Sequence, residues 1–182
     1  MDDALLEVLV EIPRGSQNKY EYDFERQAIR LDRVLWSSVH YPTDYGFIED
    51  TLAEDGDHLD ALVLANNPTF PGCLVRARPV AVLHMTDYNG QDNKILCACA
   101  SDPRQDDIVD LSSVPRHLLA EIENFFSIYK QLEPGRETTL QGWGSRDEAL
   151  AIVAKAQNAY RAQTLRPNPH PGPPAEGEAT GR

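Results

Sequence analysis

Cysteine, lysine, positive charge and long apolar runs are all scarce in this 182-residue chain, and each scarcity excludes something. The three cysteines, Cys73, Cys97 and Cys99, cannot all pair within one chain, and no CxxC or Cys/His spacing offers a structural zinc site. Cys97 and Cys99 alternate with Ala98 and Ala100, as small apolar residues do in a strand. No apolar run approaches the roughly 20 residues that span a bilayer. Met1-Asp2-Asp3 lacks the basic-then-apolar order of a signal peptide, so a cytoplasmic protein is expected. Lysine and arginine number 17 against 29 aspartates and glutamates, a formal net charge of -12. Such a chain repels nucleic-acid phosphates and anionic membranes unless a local basic patch intervenes, so neither is expected as a partner. It suits divalent cations, provided the carboxylates gather in one place. The phosphate loops GxxxxGKS/T and GxGxxG are missing too, so any phosphate must be held by scattered Lys, Arg and Tyr donors.

Hydrophobic residues make up 41% and charged residues 25%, a globular composition. One domain over residues 1–165 is expected, followed by a disordered Pro/Gly-rich tail, 166–182, that cannot bury apolar surface. Leu6, Val8, Val10 and Ile12 alternate with Glu7 and Glu11, a period-two strand. Lys19 to Phe24 alternates again, placing Lys19 and Glu21 on one face. Further strands are read at 29–35, 60–64, 74–85 and 94–100, and the stretch from Tyr41 to Asp60 reads mostly as loop. Asp87-Tyr88-Asn89-Gly90 is a hairpin signal, because Asn-Gly tolerates positive φ. After Ser112 the period changes. Ser113 is a candidate cap for a helix carrying Leu118, Ile122, Phe125 or Phe126, and Tyr129, with Pro134-Gly135 ending it. Ser145 to Glu148 forms a capping box before Leu150, Val153 and Ala156. Strands followed by two helices read as α+β, with a sheet or small barrel as the body.

Asp55-Gly56-Asp57-His58-Leu59-Asp60 is the densest carboxylate cluster. It reads either as a solvated acidic turn or as a site for a hard cation that relieves mutual repulsion. An EF-hand loop is excluded, because Leu59 and Asp60 stand at its fifth and sixth positions. Asp87 and Asp92 bracket the hairpin, and Lys94 shares a strand face with Asp92. Only four lysines occur, Lys19, Lys94, Lys130 and Lys155, beside 13 arginines. Drift in a GC-rich genome explains that scarcity. It does not explain why three of the four stand beside carboxylates or tyrosine. Arg33, Tyr45 and Tyr129-Lys130 are further candidate phosphate donors; each also has a plain reading as ion pair, core aromatic or helix-end partner.

Taken in order, Glu11-Ile12-Pro13, Lys19-Tyr20-Glu21, Leu31-Asp32-Arg33, Tyr41-Pro42-Thr43-Asp44-Tyr45-Gly46, the Asp55–Asp60 run, Met85-Thr86-Asp87, Asp92-Asn93-Lys94 and Tyr129-Lys130 resemble the signature series of soluble family I inorganic pyrophosphatases, and actinobacterial members most. Two positions depart from it: His58 where the family has proline, and Tyr88 where it has a carboxylate. His58 is expected to be a turn residue facing solvent.

The resemblance implies a five-stranded OB-like β-barrel flanked by two α-helices, a homohexamer, and hydrolysis of pyrophosphate by a metal-activated water. It implies Mg²⁺ as cofactor, with Mn²⁺ an alternative that carboxylates alone do not separate from it. By carry-over, Asp55, Asp60 and Asp92 hold a tight ion and Asp60 bridges a second. Asp87 and Asp92 take an ion arriving with substrate, and Glu11 and Glu21 take another. Arg33, Lys94, Tyr129 and Lys130 grip the departing phosphate, with Lys19 and Tyr45 around the electrophilic one. Asp57 is the first choice of base and Asp92 its rival. The alternative from another class is a non-catalytic OB-like barrel that binds acidic metabolites or single-stranded nucleic acid.

Overall fold

In the computed structural model, which describes residues 4–88, 90–135 and 137–165, strand Leu6–Ile12 (β1) alternates as read, with Val8, Val10 and Ile12 fully buried and Glu7 exposed. Asn89 of the expected hairpin and the expected 166–182 tail lie outside the described residues. After β1 come Asn18–Asp23 (β2), Ala28–Val34 (β3), Asp44–Ile48 (β4), Asp60–Leu64 (β5), Leu74–Asp87 (β6), Gly90–Gln91 (β7) and Lys94–Cys99 (β8). Helix Arg116–Ile128 (α1), strand Thr139–Gly144 (β9) and helix Arg146–Thr164 (α2) complete the order.

Five strands form the expected barrel-like ring. β1 pairs β4, β4 pairs β5, β5 pairs β8 in parallel, β8 pairs β6, and β6 returns to β1. β2 and β3 form a separate hairpin, while β7 and β9 extend β6. Side chains alternate between two cores. Leu62, Leu64, Leu96 and Ala98 pack with Ile122, Phe125 and Phe126 of α1. Ala61, Val63, Ile95 and Cys97 pack with Ala149, Val153 and Ala156 of α2.

A bulge between Val10 and Ile12 in the β1–β4 pairing changes this phase. Val10 belongs to the α2 core and Ile12 to the α1 core, so the bulged residue, Glu11, is free of the ladder.

Three readings need correction. Residues 41–60 contain β4, whose five residues are all buried. Asp-Tyr-Gly-Phe-Ile shows no polar alternation because both of its faces are covered. A Cβ on Gly46 would fall 1.9 Å from the Leu9 carbonyl, so only glycine admits this β1–β4 approach. Strand β9 carries no period in the sequence, since two glycines, one at φ 95° (Gly142), dilute it. Ser113 does not cap α1. It sits inside a 3₁₀ turn whose cap is Asp110, and α1 begins after Pro115 without a side-chain cap. The Ser145–Glu148 capping box is present as read. The hairpin closes through Asp87 opposite Gly90. The cysteines are free, Cys97 fully buried. Among the described residues no helix is long and apolar enough to cross a membrane.

Candidate active site

Strand ends deliver the candidate residues to one place. Asp60 opens β5, Asp87 closes β6, Lys94 opens β8, and Tyr129 caps α1 with Lys130 next to it. Lys19 and Glu21 come from one face of β2, Arg33 from β3, and Tyr45 from β4. A cavity of about 670 Å³ is lined by every one of the thirteen residues singled out in the sequence. Eight carboxylates and four cations face it.

Lys94 is the hub. Its side chain is 2% exposed, and its ammonium is held between the carboxylates of Asp60 and Asp92. Burial alone would push that ammonium down, but Asp60 and Asp92 together hold it well above the ordinary lysine range. The Tyr45 hydroxyl donates to Asp60 Oδ2 at 2.6 Å; burial, and then the negative charge of Asp60, raise its phenol well above the usual value. Lys130 Nζ lies 3.2 Å from Asp87 Oδ2 and 5.8 Å from the ring centroid of Tyr88. Tyr88 therefore faces the same cavity and gives Lys130 an aromatic neighbour where a carboxylate was expected.

Lys19 pairs with Glu21, and Asp32 Oδ2 lies 3.4 Å from the same ammonium. Arg33 gives Nη1 to Asp32 at 2.6 Å and Nε to Glu133 at 2.9 Å. Its Nη2 is buried with no hydrogen-bond partner among the described residues, which leaves a cationic donor to spare at the cavity wall. Asp32 and Glu133 were missed as site residues. Asp32 carried a signal in its place beside Arg33; Glu133 carried none.

Glu11 accepts the Tyr22 N–H at 2.7 Å. Burial raises its carboxyl to about 7 against that hydrogen bond, with Asp60 adding repulsion. Burial also raises Asp92, against the pull of Lys94. Asp57 is raised by burial and then by Asp55, Asp60 and Glu21. Its backbone N–H is tied to Asp55 Oδ1 at 3.1 Å, which holds the two acidic residues in one turn.

His58 does not face solvent as expected. Its ring stacks on Phe47 at 4.9 Å and 15°, with Phe24 at 5.2 Å and Tyr160 at 6.0 Å. It is a wall of the cavity mouth and packs as an aromatic.

The donor chemistry fits hard divalent cations: oxygen ligands only, crowded enough to repel one another. Among the described residues, no three His, Cys, Asp or Glu groups stand as a ready cage for one ion. The ammonium groups of Lys94 and Lys19 engage four of the carboxylates instead, Asp60, Asp92, Glu21 and Asp32.

A family model described as inorganic pyrophosphatase matches residues 8–161. An inorganic pyrophosphatase of Streptomyces coelicolor is 48% identical over 157 residues, covering 86% of this chain and 96% of its own. One from Methanosarcina acetivorans is 53% identical over 153 residues, covering 84% and 90%. The crystal structure of inorganic pyrophosphatase from Thermus thermophilus superposes with a TM-score of 0.86 at 45% identity, covering 88% of this chain and 95% of that one. Fold and sequence agree, and this chain belongs to the inorganic pyrophosphatase family.

Proposed function

We propose that the protein hydrolyses pyrophosphate to two orthophosphates, with Mg²⁺ ions held among the cavity carboxylates and Asp57 acting on the attacking water. One observation carries the reading: eight carboxylates and four cations line a single cavity in a chain of this family. Carboxylates alone would serve a metal and cations alone an anion. Both together suit a metal–diphosphate complex. The non-catalytic barrel is not favoured, because a nucleic-acid groove is basic, whereas carboxylates outnumber cations here by eight to four.

Asp55, Asp60 and Asp92 would hold the tight ion, with Asp60 shared by a second. Asp87 and Asp92 would take the ion that arrives with substrate, and Glu11 and Glu21 another. Bound there, Mg²⁺ lowers the pKa of a water and neutralises phosphoryl oxygens. The chain's own groups do the positioning. Arg33, with its spare Nη2, and Lys94, Tyr129 and Lys130 face the departing phosphate. Lys19 and Tyr45 face the phosphate under attack. Asp57 is suited to accept the water's proton: its affinity for protons is raised, and no ammonium or guanidinium group is paired with its carboxylate among the described residues. Asp92 is clamped to Lys94.

Phosphate release from pyrophosphate tests the proposal. Turnover is expected with Mg²⁺, abolished by chelation, restored by added Mg²⁺ and inhibited by Ca²⁺, which accepts looser, longer ligation. Release that is unaffected by chelation, or equal with Ca²⁺, would contradict it.

A further inference from the structure

Asp92 and Lys94 flank Asn93 at the start of β8. Lys94 shares the α1 face with Leu96, and Asp92 lines the same cavity, whereas Asn93 does not line it. Asp92 and Asn93 themselves stand outside the strand ladder; the Asp92 N–H donates to the Met85 carbonyl at 2.9 Å. The rest of their placement depends on side chains.

Those side chains form a directed relay. Gln91 Nε2 donates to the Met85 carbonyl at 3.2 Å and to Asn93 Oδ1 at 2.7 Å. A carbonyl only accepts, so the Met85 contact identifies the Gln91 atom as nitrogen, and that nitrogen identifies the Asn93 atom as oxygen. His84 Nδ1 stands 3.2 Å from the same oxygen and is therefore its donor. His84 Nε2 stands 3.2 Å from Glu148 Oε2. Glu148 is itself fixed, its other oxygen accepting the Ser145 N–H at 3.1 Å in the capping box of α2. Gly144 leaves the room: a Cβ there would come 2.5 Å from His84 Nε2 and 2.7 Å from Glu148 Oε2. None of these residues lines the cavity.

We propose that His84 is a positioning residue: anchored by Glu148, it pins Asn93 and so sets where Asp92 and Lys94 stand in the cavity. This rests on the roles of Asp92 and Lys94 given above. Asn93 acts as a peg on the far side of the chain. With the peg fixed, the segment cannot roll, and the carboxylate and ammonium keep their angle to the site. A misplacement of about 1 Å at such groups costs as much as about 10²-fold in rate.

The test uses the full-length chain as His84→Phe, which keeps a ring and loses both ring nitrogens, and His84→Gln, whose amide N–H can replace the donor to Asn93. Asn93→Ala and the His84→Phe/Asn93→Ala double complete a cycle, and Asp92→Ala serves as reference. Phosphate release is followed across Mg²⁺ concentrations, with urea unfolding of each variant alongside. His84→Phe and Asn93→Ala are each expected to lose about tenfold in kcat and to need more Mg²⁺ for half-saturation. The double should be no worse than either single, because both break one link. His84→Gln should recover most of the loss. A residue that merely supports the fold would lower the unfolding midpoint, and its losses would multiply with those of Asn93→Ala. Multiplying losses, or wild-type kcat and Mg²⁺ response in His84→Phe beside an inactive Asp92→Ala, would overturn this proposal alone. Wild-type turnover by Asp92→Ala would overturn the role given to Asp92, and this proposal with it.

Discussion

Arg33 and Glu133 lie 100 residues apart in the chain, and their side chains meet at 2.9 Å. The contact joins β3 to the turn after α1 and orients the guanidinium with Nη2 to spare. Glu133 is 7% exposed, so its charge is shielded from water and the pair is strong in both energy and direction.

Glu133→Gln keeps the oxygen that accepts from Arg33 and removes the charge. It is expected to lower kcat/KM for pyrophosphate about tenfold while the protein stays folded. Glu133→Ala leaves Arg33 with Asp32 as its partner and should also lower stability by about 1 kcal/mol in denaturant titrations. A wild-type kcat/KM in Glu133→Gln would remove the role assigned to this contact.

Lys94→Arg should be far more damaging than its conserved charge suggests. The ammonium is enclosed between Asp60 and Asp92, 2% exposed, and a planar guanidinium places its donors elsewhere. A loss of about 10²-fold in turnover is expected. Lys155→Arg is the control: Lys155 is an exposed partner of Glu54 at 2.6 Å and should tolerate the change. Equal, near-normal turnover in both would show that the retained lysines carry no special meaning.

These pairs show what one sequence can and cannot reveal. Lys19 with Glu21, and Asp92 with Lys94, are two residues apart on strands, so the period-two rule already placed each pair on one face. The hairpin at Asp87 and the α2 capping box were legible for the same reason, since local chemistry decides them. Gathering Glu11, Arg33, Asp60 and Tyr129 at one mouth depends on the ring of strands, and that order came from resemblance. β4 escaped because a strand covered on both faces has no alternation to read. Glu133 escaped because its partner lies across the fold. The packing of His58 is not legible in the acidic turn around it, because Phe47 arrives from β4 and Phe24 from the turn between β2 and β3.

Glu11 predicts a pH dependence of stability. Burial raises its carboxyl from 4.5 to about 7. The folded state then binds more protons than the unfolded state between those values, so its contribution is fully present below 4.5 and lost as pH rises through 7. The loss is of order 3 kcal/mol. Glu11→Gln, which mimics the protonated acid, should match the wild type at low pH and exceed it at pH 8 by about that amount. Urea titrations with chelator present read this directly. Identical pH profiles for the two proteins would contradict it.

His58 contributes packing at the cavity mouth. His58→Ala should lower stability by about 1 kcal/mol, the scale of a stacked aromatic pair, and leave Mg²⁺ affinity unchanged. A large drop in Mg²⁺ affinity in calorimetric titration would make it a ligand instead.

The division of labour between Asp57 and Asp92 is tested by measuring Mg²⁺ affinity and pyrophosphate turnover together in Asp57→Asn and Asp92→Asn. Asp57→Asn should keep near-normal affinity at the tight site and lose about 10²-fold in kcat, the lower end of a general-base contribution, because the metal already acidifies the water. Asp92→Asn should bind Mg²⁺ more weakly and recover part of its activity at high Mg²⁺. Normal turnover in Asp57→Asn at saturating Mg²⁺, beside an Asp92→Asn that binds metal well and is inactive, would reverse the two roles.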